Sequence, residues 1–180
     1  NFFMTISTKD HCPLVYILTP SYNCGQYIYR LLNSVLTQTY PNIEMTVIDD
    51  GSTDNTKDII ISYQFKFAAR GYKLNYVYQN NQGLSSTINN GLKLVHGDFL
   101  IWPDADDWYC RDDAIEKMVV TFENNINLGI VRIGKQYVDE HTFCSIGTVV
   151  FMKRNNIFHD CLLSKNGYFF AAGGDMLRVS

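Results

Sequence analysis

The alternation of short apolar runs with amphipathic segments constrains this chain more than any other feature. Residues 14–19 read LVYILT, a continuous β-rich run typical of a strand covered on both faces, and Pro20 ends it. The next segment predicts an amphipathic helix, because its apolar residues recur at helical spacing: Ile28, Leu31, Leu32, Val35 and Leu36. The chain therefore opens with a strand followed by a helix.

The same rhythm then repeats along the chain. Strands are predicted over residues 43–49, 74–78 and 99–102, and a helical segment follows each of them. Such alternation is typical of parallel strands joined by right-handed crossovers. We therefore predict an α/β fold with a mostly parallel open sheet flanked by helices.

A chain of 180 residues with 46% hydrophobic content can bury one core, so we expect a single domain over residues 1–180. Beyond Gly129 the periodicity is poorer, although the segments IVRIG, TVVFM and YFFAA have the composition of strands. The prediction is a regular part over about residues 14–122 and a smaller, irregular part over about residues 123–180.

Composition and charge argue against nucleic-acid binding, a disulfide framework and a membrane-spanning helix. A formal net charge of -3 without a Lys/Arg run gives no general attraction for nucleic acid, so we expect none to bind. Five widely spaced cysteines without a CxxC pair argue against a disulfide framework or a zinc site, and indicate reduced thiols in the cytosol. No apolar run approaches the roughly 18 residues of a membrane-spanning helix, and the pattern of a signal peptide is absent.

Polar loops follow the four predicted parallel strands. They are TPSYN at residues 19–23, DDGSTD at 49–54, NNQG at 80–83 and PDADD at 103–107. Ligands of open α/β sheets bind at the carboxyl ends of the strands. The sequence therefore predicts that these four loops form a single binding site.

The acidic loop carries Asp104, Asp106 and Asp107 directly after an apolar strand. Crowded carboxylates repel one another unless a cation or a buried proton intervenes. Carboxylate oxygens are hard ligands suited to Mg²⁺ or Mn²⁺, which keep positions free for phosphate oxygens. The pattern alone fits a metal that bridges protein and diphosphate and a solvated, helix-capping loop equally well.

The other loops are less specific. Asp49 and Asp50 precede Gly51, which is ordinary turn chemistry, although a carboxylate here is also suited to accept a hydrogen bond from the imide of a uracil. Gly83 permits close backbone approach before a helix whose N-terminus favours phosphate. Tyr22 is suited to stack on a base or to pack locally.

Together these motifs resemble the first half of family 2 glycosyltransferases with the GT-A (Rossmann-like) fold. TPSYN, SVLTQTYPNIEMTVIDDGSTDNT, NNQGLSSTINNGL and GDFLIWPDADDW carry the resemblance from about Leu14 to about Phe122. It implies a nucleoside-diphosphate-sugar donor such as a UDP-sugar, a divalent metal, Mn²⁺ or Mg²⁺, and inverting transfer to a hydroxyl. It further implies a carbohydrate or glycolipid acceptor, bacterial surface polysaccharide or glycolipid synthesis, and a cytoplasmic location with peripheral membrane association left open.

The resemblance also assigns roles by position. It implies base and ribose contacts for Thr19, Pro20, Tyr22 and Asp50, and places Gly83 along the nucleotide cleft. In the acidic loop it implies that Asp106 is the central metal ligand, that Asp104 and Asp107 flank it on the metal, ribose or sugar, and that Ala105 belongs to the same nucleotide-sugar loop.

Two departures from the family pattern stand out. Many relatives carry an arginine in the helix after the Asn-x-Gly loop, where this chain has Thr87 and Ile88. The second departure concerns the catalytic carboxylate, which family members usually carry late in the domain. Asp175 is the candidate base, with Glu140 and Asp160 as alternatives, but GGDMLR also resembles the segment that precedes the base in many relatives.

Two rival functions remain from the residues alone. A phosphoacceptor receiver domain would need an acidic pair after the first strand, where this chain has TPSYN, so the sequence disfavours it. A nucleotide-sugar-binding module without transfer, or a truncated enzyme, stays open as the alternative function.

Overall fold

The computed structural model describes residues 12–138, 145–149 and 175–179. Strands and helices alternate first: β1 Val15–Ser21, α1 Ile28–Leu36, β2 Ile43–Asp50, α2 Thr56–Ala69, β3 Lys73–Gln79, α3 Leu84–Leu92, β4 Phe99–Ile101 and α4 Ala114–Glu123. Four strands come later: β5 Ile130–Arg132, β6 Lys135–Val138, β7 Ser145–Val149 and β8 Asp175–Arg178. The predicted strand and helix rhythm is confirmed. Within these ranges, no helix has the length and apolar character needed to cross a membrane.

Six strands form one sheet in the order β3-β2-β1-β4-β8-β5. Strand β1 pairs in parallel with both β2 and β4, and β3 extends the parallel set from β2. Strand β8 runs antiparallel between β4 and β5, while β6 and β7 form a separate antiparallel pair. The carboxyl ends of β1 to β4 therefore share one edge, as the sequence predicted.

Side chains of the central strands alternate between two cores. Val15 and Ile17 join the larger core with α1, α2 and α4, whereas Leu18 and Ile48 belong to the smaller core on the opposite face. Helix α3 packs closely on that second face, because a Cβ at Gly91 would lie 2.6 Å from Leu18 Cδ1. The sheet is thus covered on both faces, which explains the continuous apolar runs of its strands.

The irregular part differs from its prediction. IVRIG contributes β5 over residues 130–132, but β7 begins at Ser145, before TVVFM, and YFFAA lies outside the described residues. Strands β6 and β8 were not predicted. Strand β8 is four residues long and is stabilised by pairing with β4 and β5, partners that are far away in sequence. Short local periodicity carries little information about such pairing.

Buried Gln38 holds the segment that leads from the acidic loop to α4. Its Nε2 donates to the carbonyls of Arg111 and Ser34 at 2.8 and 3.0 Å, and its Oε1 accepts from the backbone N–H of Ile115 at 3.1 Å. The backbone N–H of Tyr109 donates to Ser34 Oγ at 3.0 Å. Helix α1 therefore fixes the course of the chain directly after the acidic loop.

We predict that Gln38→Leu lowers the free energy of unfolding by about 2 to 3 kcal/mol, because buried backbone groups of residues 111 and 115 lose their partner. Gln26→Leu is the matched control, since Gln26 is an exposed glutamine just before α1. Urea denaturation monitored by circular dichroism measures both variants. Equal stability of the two variants would contradict the structural role of Gln38.

Candidate functional site

A cavity of about 230 Å³ opens at the carboxyl edge of the sheet. Its lining comes from the end of β1, the end of β2, and the loop and first turns of α3: Pro20, Ser21, Tyr22, Asp50, Asn81, Gly83, Leu84 and Thr87. Four of the predicted site residues thus line one cavity: Pro20, Tyr22, Asp50 and Gly83. Ser21 and Asn81 belong to two of the four predicted site loops, whereas Leu84 and Thr87 lie beyond these loops.

The carboxylate of Asp50 holds the loop that closes this cavity. Its Oδ1 accepts from Gln79 Nε2 at 2.7 Å and from the backbone N–H of Gln82 at 2.9 Å, and its Oδ2 accepts from the backbone N–H of Gly83 at 2.8 Å. Burial acts to raise the pKa of Asp50, but these hydrogen bonds outweigh it and leave the pKa below its ordinary value. The ionised Asp50 carboxylate therefore links the end of β2 to the loop that begins α3.

The two aspartates of the DDGS turn form hydrogen bonds on opposite faces of the sheet. Both Asp50 oxygens accept hydrogen bonds from the chain, so Asp50 shapes the cavity, and its contact with a base stays a prediction. Asp49 faces the opposite core, where it accepts from the backbone N–H of Ser52 at 2.8 Å and from the Tyr76 hydroxyl at 2.7 Å. Burial and the Asp49 carboxylate together raise the pKa of Tyr76.

The loop after β1 is fastened to the loop after β2. The backbone N–H of Asn23 donates to Ser52 Oγ at 2.8 Å, and Asn23 Oδ1 accepts from the backbone N–H of Thr53 at 2.8 Å. Asn23 adopts a φ of 49°, a conformation that asparagine tolerates better than most residues. These contacts hold Tyr22 at the cavity with 54% of its surface exposed.

Thr19 is buried, and its contact with a ligand stays a prediction. Strand alternation directs it toward the larger core, where it is fully buried and absent from the cavity lining. Within the described part of the chain, its Oγ1 has no hydrogen-bond partner. Both faces of β1 are covered, so the sequence pattern alone did not distinguish the ligand-facing positions from the core-facing ones.

Thr87 closes the floor of the cavity, where the family pattern has an arginine. Its hydroxyl donates to the carbonyl of Gly83 at 2.9 Å and accepts from Gln79 Nε2 at 3.0 Å, while Asn90 Nδ2 donates to Gln79 Oε1 at 3.0 Å. Thr87 is buried, and Gly83 has a φ of 81° at the start of α3. The spacing of Thr87 four residues after Gly83 was the signal that placed it beside the loop.

The acidic loop lies at the same edge but does not line the cavity. Asp104 and Asp106 are exposed and Asp107 is half-buried. Ala105 packs into the larger core and anchors the loop, and its contact with a nucleotide sugar stays a prediction. The backbone N–H of Asp107 donates to the carbonyl of Asp104 at 3.1 Å, which closes a turn. Among the described residues, no three His, Cys, Asp or Glu side chains converge as a metal cluster.

Asp175 does not have the surroundings of a free base. It lies at the start of β8 and is buried, and its two oxygens accept from Arg132 Nε and Nη2 at 2.7 and 2.6 Å. The guanidinium binds in a bidentate manner and engages both carboxylate oxygens in hydrogen bonds. The geometry assigns Asp175 to a structural ion pair; the alternatives Glu140 and Asp160 lie outside the described residues.

Comparison with known proteins decides the family. Residues 16–178 match the model for glycosyl transferase family 2. The chain belongs to this family. The family 2 domain is 35% identical over 115 residues to the glycosyltransferase GlyA of Streptococcus pneumoniae, covering 63% of this chain and 16% of that protein. It is 32% identical over 133 residues to the chondroitin synthase of Escherichia coli, covering 74% of this chain and 19% of that protein.

Solved structures confirm the GT-A architecture of this family 2 domain. The crystal structure of S. aureus TarS 1-349 with UDP superposes with a TM-score of 0.62 at 26% identity, covering 71% of this chain and 37% of that chain. TarS 1-349 with UDP-GlcNAc gives a TM-score of 0.61 at 27% identity, covering 71% of this chain and 36% of that chain. This chain therefore spans well under half the length of these relatives.

We predict that Asp50→Asn destabilises the family 2 domain by about 1 to 3 kcal/mol at neutral pH, because an amide cannot accept from three N–H donors. A lowered folded-state pKa stabilises the fold in full above the ordinary value of 3.8 and loses this effect as the pH falls through the folded value. The stability difference between wild type and variant should therefore shrink below that pH.

Urea unfolding between neutral and acidic pH measures this difference. Asp58→Asn is the control, because it makes the same chemical change at an exposed carboxylate of α2. A difference that stays constant as the pH falls would show that the Asp50 carboxylate charge does not hold the loop.

We predict that Asp175→Leu lowers stability by about 3 to 5 kcal/mol, because it leaves the buried Arg132 charge without this partner. The double variant Arg132→Leu/Asp175→Leu should recover much of that loss. Chemical denaturation of both variants gives the measurement. Unchanged stability in Asp175→Leu together with abolished glycosyl transfer would instead support a catalytic base.

Proposed function

We propose that this domain binds a nucleoside-diphosphate sugar, with a UDP-type nucleotide in the cavity and the diphosphate directed toward the acidic loop. The observation that carries the proposal is that Pro20, Tyr22, Asp50 and Gly83, four residues from three separate motifs, line one cavity at the carboxyl edge. Membership of family 2 and the likeness to TarS, a protein solved with UDP and with UDP-GlcNAc, support the same ligand class.

The cavity has the chemistry that a nucleoside requires. Tyr22 and Leu84 are 54% and 60% exposed and offer an aromatic and an aliphatic surface to a base. Helix α3 begins at the cavity, and its positive N-terminal end favours a phosphate although the whole chain is acidic. Local groups therefore replace the arginine that many relatives carry in α3.

The acidic loop is suited to a divalent metal shared with the diphosphate. Mg²⁺ and Mn²⁺ are satisfied by one or two protein carboxylates when phosphate and water complete the coordination. Asp106 would be the central ligand with Asp104 beside it, since both are exposed at the loop; Asp107 is half-buried and less accessible. When bound, the metal would neutralise the negative charge of the departing diphosphate.

Within the domain, the proposed division of roles follows from these contacts. Asp50 and Thr87 fix the loop before α3, Tyr22 stacks on the base, and the acidic loop orients the sugar diphosphate. Inverting transfer to a hydroxyl requires a carboxylate base, and we assign that role to a residue other than Asp175. The acceptor is proposed to be a carbohydrate or glycolipid of a bacterial surface polysaccharide, used at the inner face of the membrane.

A donor-binding module without transfer is the second candidate function. The pairing of Asp175 with Arg132 favours it, because this pairing removes the late carboxylate that had the setting of a base. Release of UDP from a UDP-sugar, in water or onto an acceptor, separates the candidates. A binding module would show nucleotide affinity without any UDP release.

We predict that UDP with Mn²⁺ raises the melting temperature, since a ligand at 100 times its Kd stabilises a fold by roughly 2.7 kcal/mol. Chelation of the metal should remove most of this shift, and Asp106→Ala should remove it likewise. Asp112→Ala is the matched control, because Asp112 is exposed a few residues after the acidic loop and loses the same charge. Differential scanning fluorimetry provides the measurement.

Two results would contradict the proposal in different ways. The absence of a UDP response with and without metal would argue against the nucleotide site. A metal-dependent response that persists in Asp106→Ala at the wild-type magnitude would keep the nucleotide site and remove the proposed ligand.

A further inference from the structure

A cluster of Tyr29, Arg30 and Trp108 lies beside the acidic loop and outside the cavity lining. The Arg30 guanidinium carbon is 5.7 Å from the centroid of the Tyr29 ring and 5.7 Å from that of the Trp108 ring. Arg30 Nε also donates to the Tyr29 hydroxyl at 3.2 Å. The two rings remain 40% and 36% exposed, so a guanidinium and the two rings that it contacts form a single surface.

The fold fixes this cluster next to the acidic loop. Trp108 follows Asp107 directly, and Tyr29 and Arg30 belong to the first turn of α1. Hydrogen bonds hold the segment after Trp108 along α1, through the backbone N–H groups of Tyr109 and Thr39. The cluster is therefore part of the carboxyl edge and lies close in sequence to the proposed metal ligands.

Packing alone does not account for the cluster. A tryptophan is highly buried in most folds, yet here a third of the residue faces water beside charged neighbours. A cation–π contact at an exposed position contributes little to stability. The larger core already includes α1 and the neighbouring Ala105 and Ile115, so Trp108 is not needed to close it.

The chemistry of the surface matches a sugar ring. A pyranose has an apolar C–H face, which packs on an aromatic ring, and hydroxyls at its edge, which accept hydrogen bonds from a guanidinium. The adjacent carboxylates disfavour an anionic ligand. A protein partner would need roughly 1,000 Å² of complementary surface, far more than these three side chains supply.

We propose that Tyr29, Arg30 and Trp108 form a binding site for a neutral pyranose ring, the acceptor saccharide of the domain. The assignment of this sugar as acceptor rests on the proposed function; the binding of a saccharide by the cluster does not. A ring held here would place its free hydroxyl at the same sheet edge as the acidic loop, where the donor sugar is proposed to lie.

The test uses the two tryptophan indole N–H signals of the ¹⁵N-labelled chain, assigned with Trp108→Phe. Cellotetraose and chitotetraose are the neutral probes and tetragalacturonate is the anionic one, titrated to millimolar concentration without nucleotide or metal. A neutral probe should shift the Trp108 signal and leave that of Trp102 unchanged. Trp108→Ala should weaken binding by roughly tenfold, and Trp108→Phe should retain part of it.

Phe65→Ala is the control, because Phe65 is an aromatic residue on α2 with 82% exposure and should not affect saccharide binding. The circular dichroism spectrum and the melting temperature without ligand show whether each variant is folded. The absence of a Trp108 shift with both neutral probes would overturn the proposal, as would unchanged affinity in Trp108→Ala. Self-association of the wild type that Trp108→Ala abolishes, without a saccharide response, would assign the cluster to a protein contact instead.

The two proposals fail separately. Loss of the UDP response with a retained Trp108 shift would remove the donor site and leave a saccharide site. A retained UDP response without a Trp108 shift would keep the donor site and remove the saccharide site. If both hold, Trp108→Ala should lower UDP release that depends on the bound saccharide, whereas Phe65→Ala should leave that release unchanged.

Discussion

Three N–H donors converge on the carboxylate of Asp50 and tie the end of β2 to the loop that begins α3. The cavity depends on this contact, because the same loop contributes Asn81, Gly83 and Leu84 to its lining. The neighbouring Gly51 has a φ of 80°, and a Cβ there would lie 2.9 Å from the backbone nitrogen of Asn81. The shape of the site therefore depends on the close approach of the Gly51 and Asn81 backbones and on the hydrogen bonds of the ionised Asp50 carboxylate.

At the carboxyl edge, different side chains lie on the two faces of the sheet. Asp50 and Thr87 belong to the α3 side and shape the cavity, whereas Arg30 and Trp108 belong to the α1 side. The acidic loop follows β4, which pairs with β1, the strand whose end reaches the cavity. Such an arrangement suits a reaction between two ligands that must meet at one edge, and it needs no positive net charge.

The sequence predicted the parts of the fold that depend on local periodicity. Strands β1 to β4 and their helices were predicted because apolar runs and amphipathic stripes repeat along the chain, and the rule for open sheets then placed Pro20, Tyr22 and Gly83 at one edge. Strand β8 escaped prediction because pairing between distant segments stabilises it. The burial of Thr19 was not predicted, because a strand covered on both faces gives no sign of which side chains point to the core. The hydrogen bonds of Asp50 and Gln38 depend on tertiary contacts.

Chemical-shift mapping of UDP binding tests the central claim most directly. With UDP and diamagnetic Mg²⁺ added to the ¹⁵N-labelled chain, we expect the largest amide shifts at Tyr22, Asn81, Gly83 and Thr87 and further shifts in the acidic loop, with no change at Gly71 or Ile126, which lie away from the cavity. Saturable shifts at the cavity residues and the acidic loop would establish the nucleotide site. Shifts elsewhere on the surface, or none at saturating nucleotide, would contradict it.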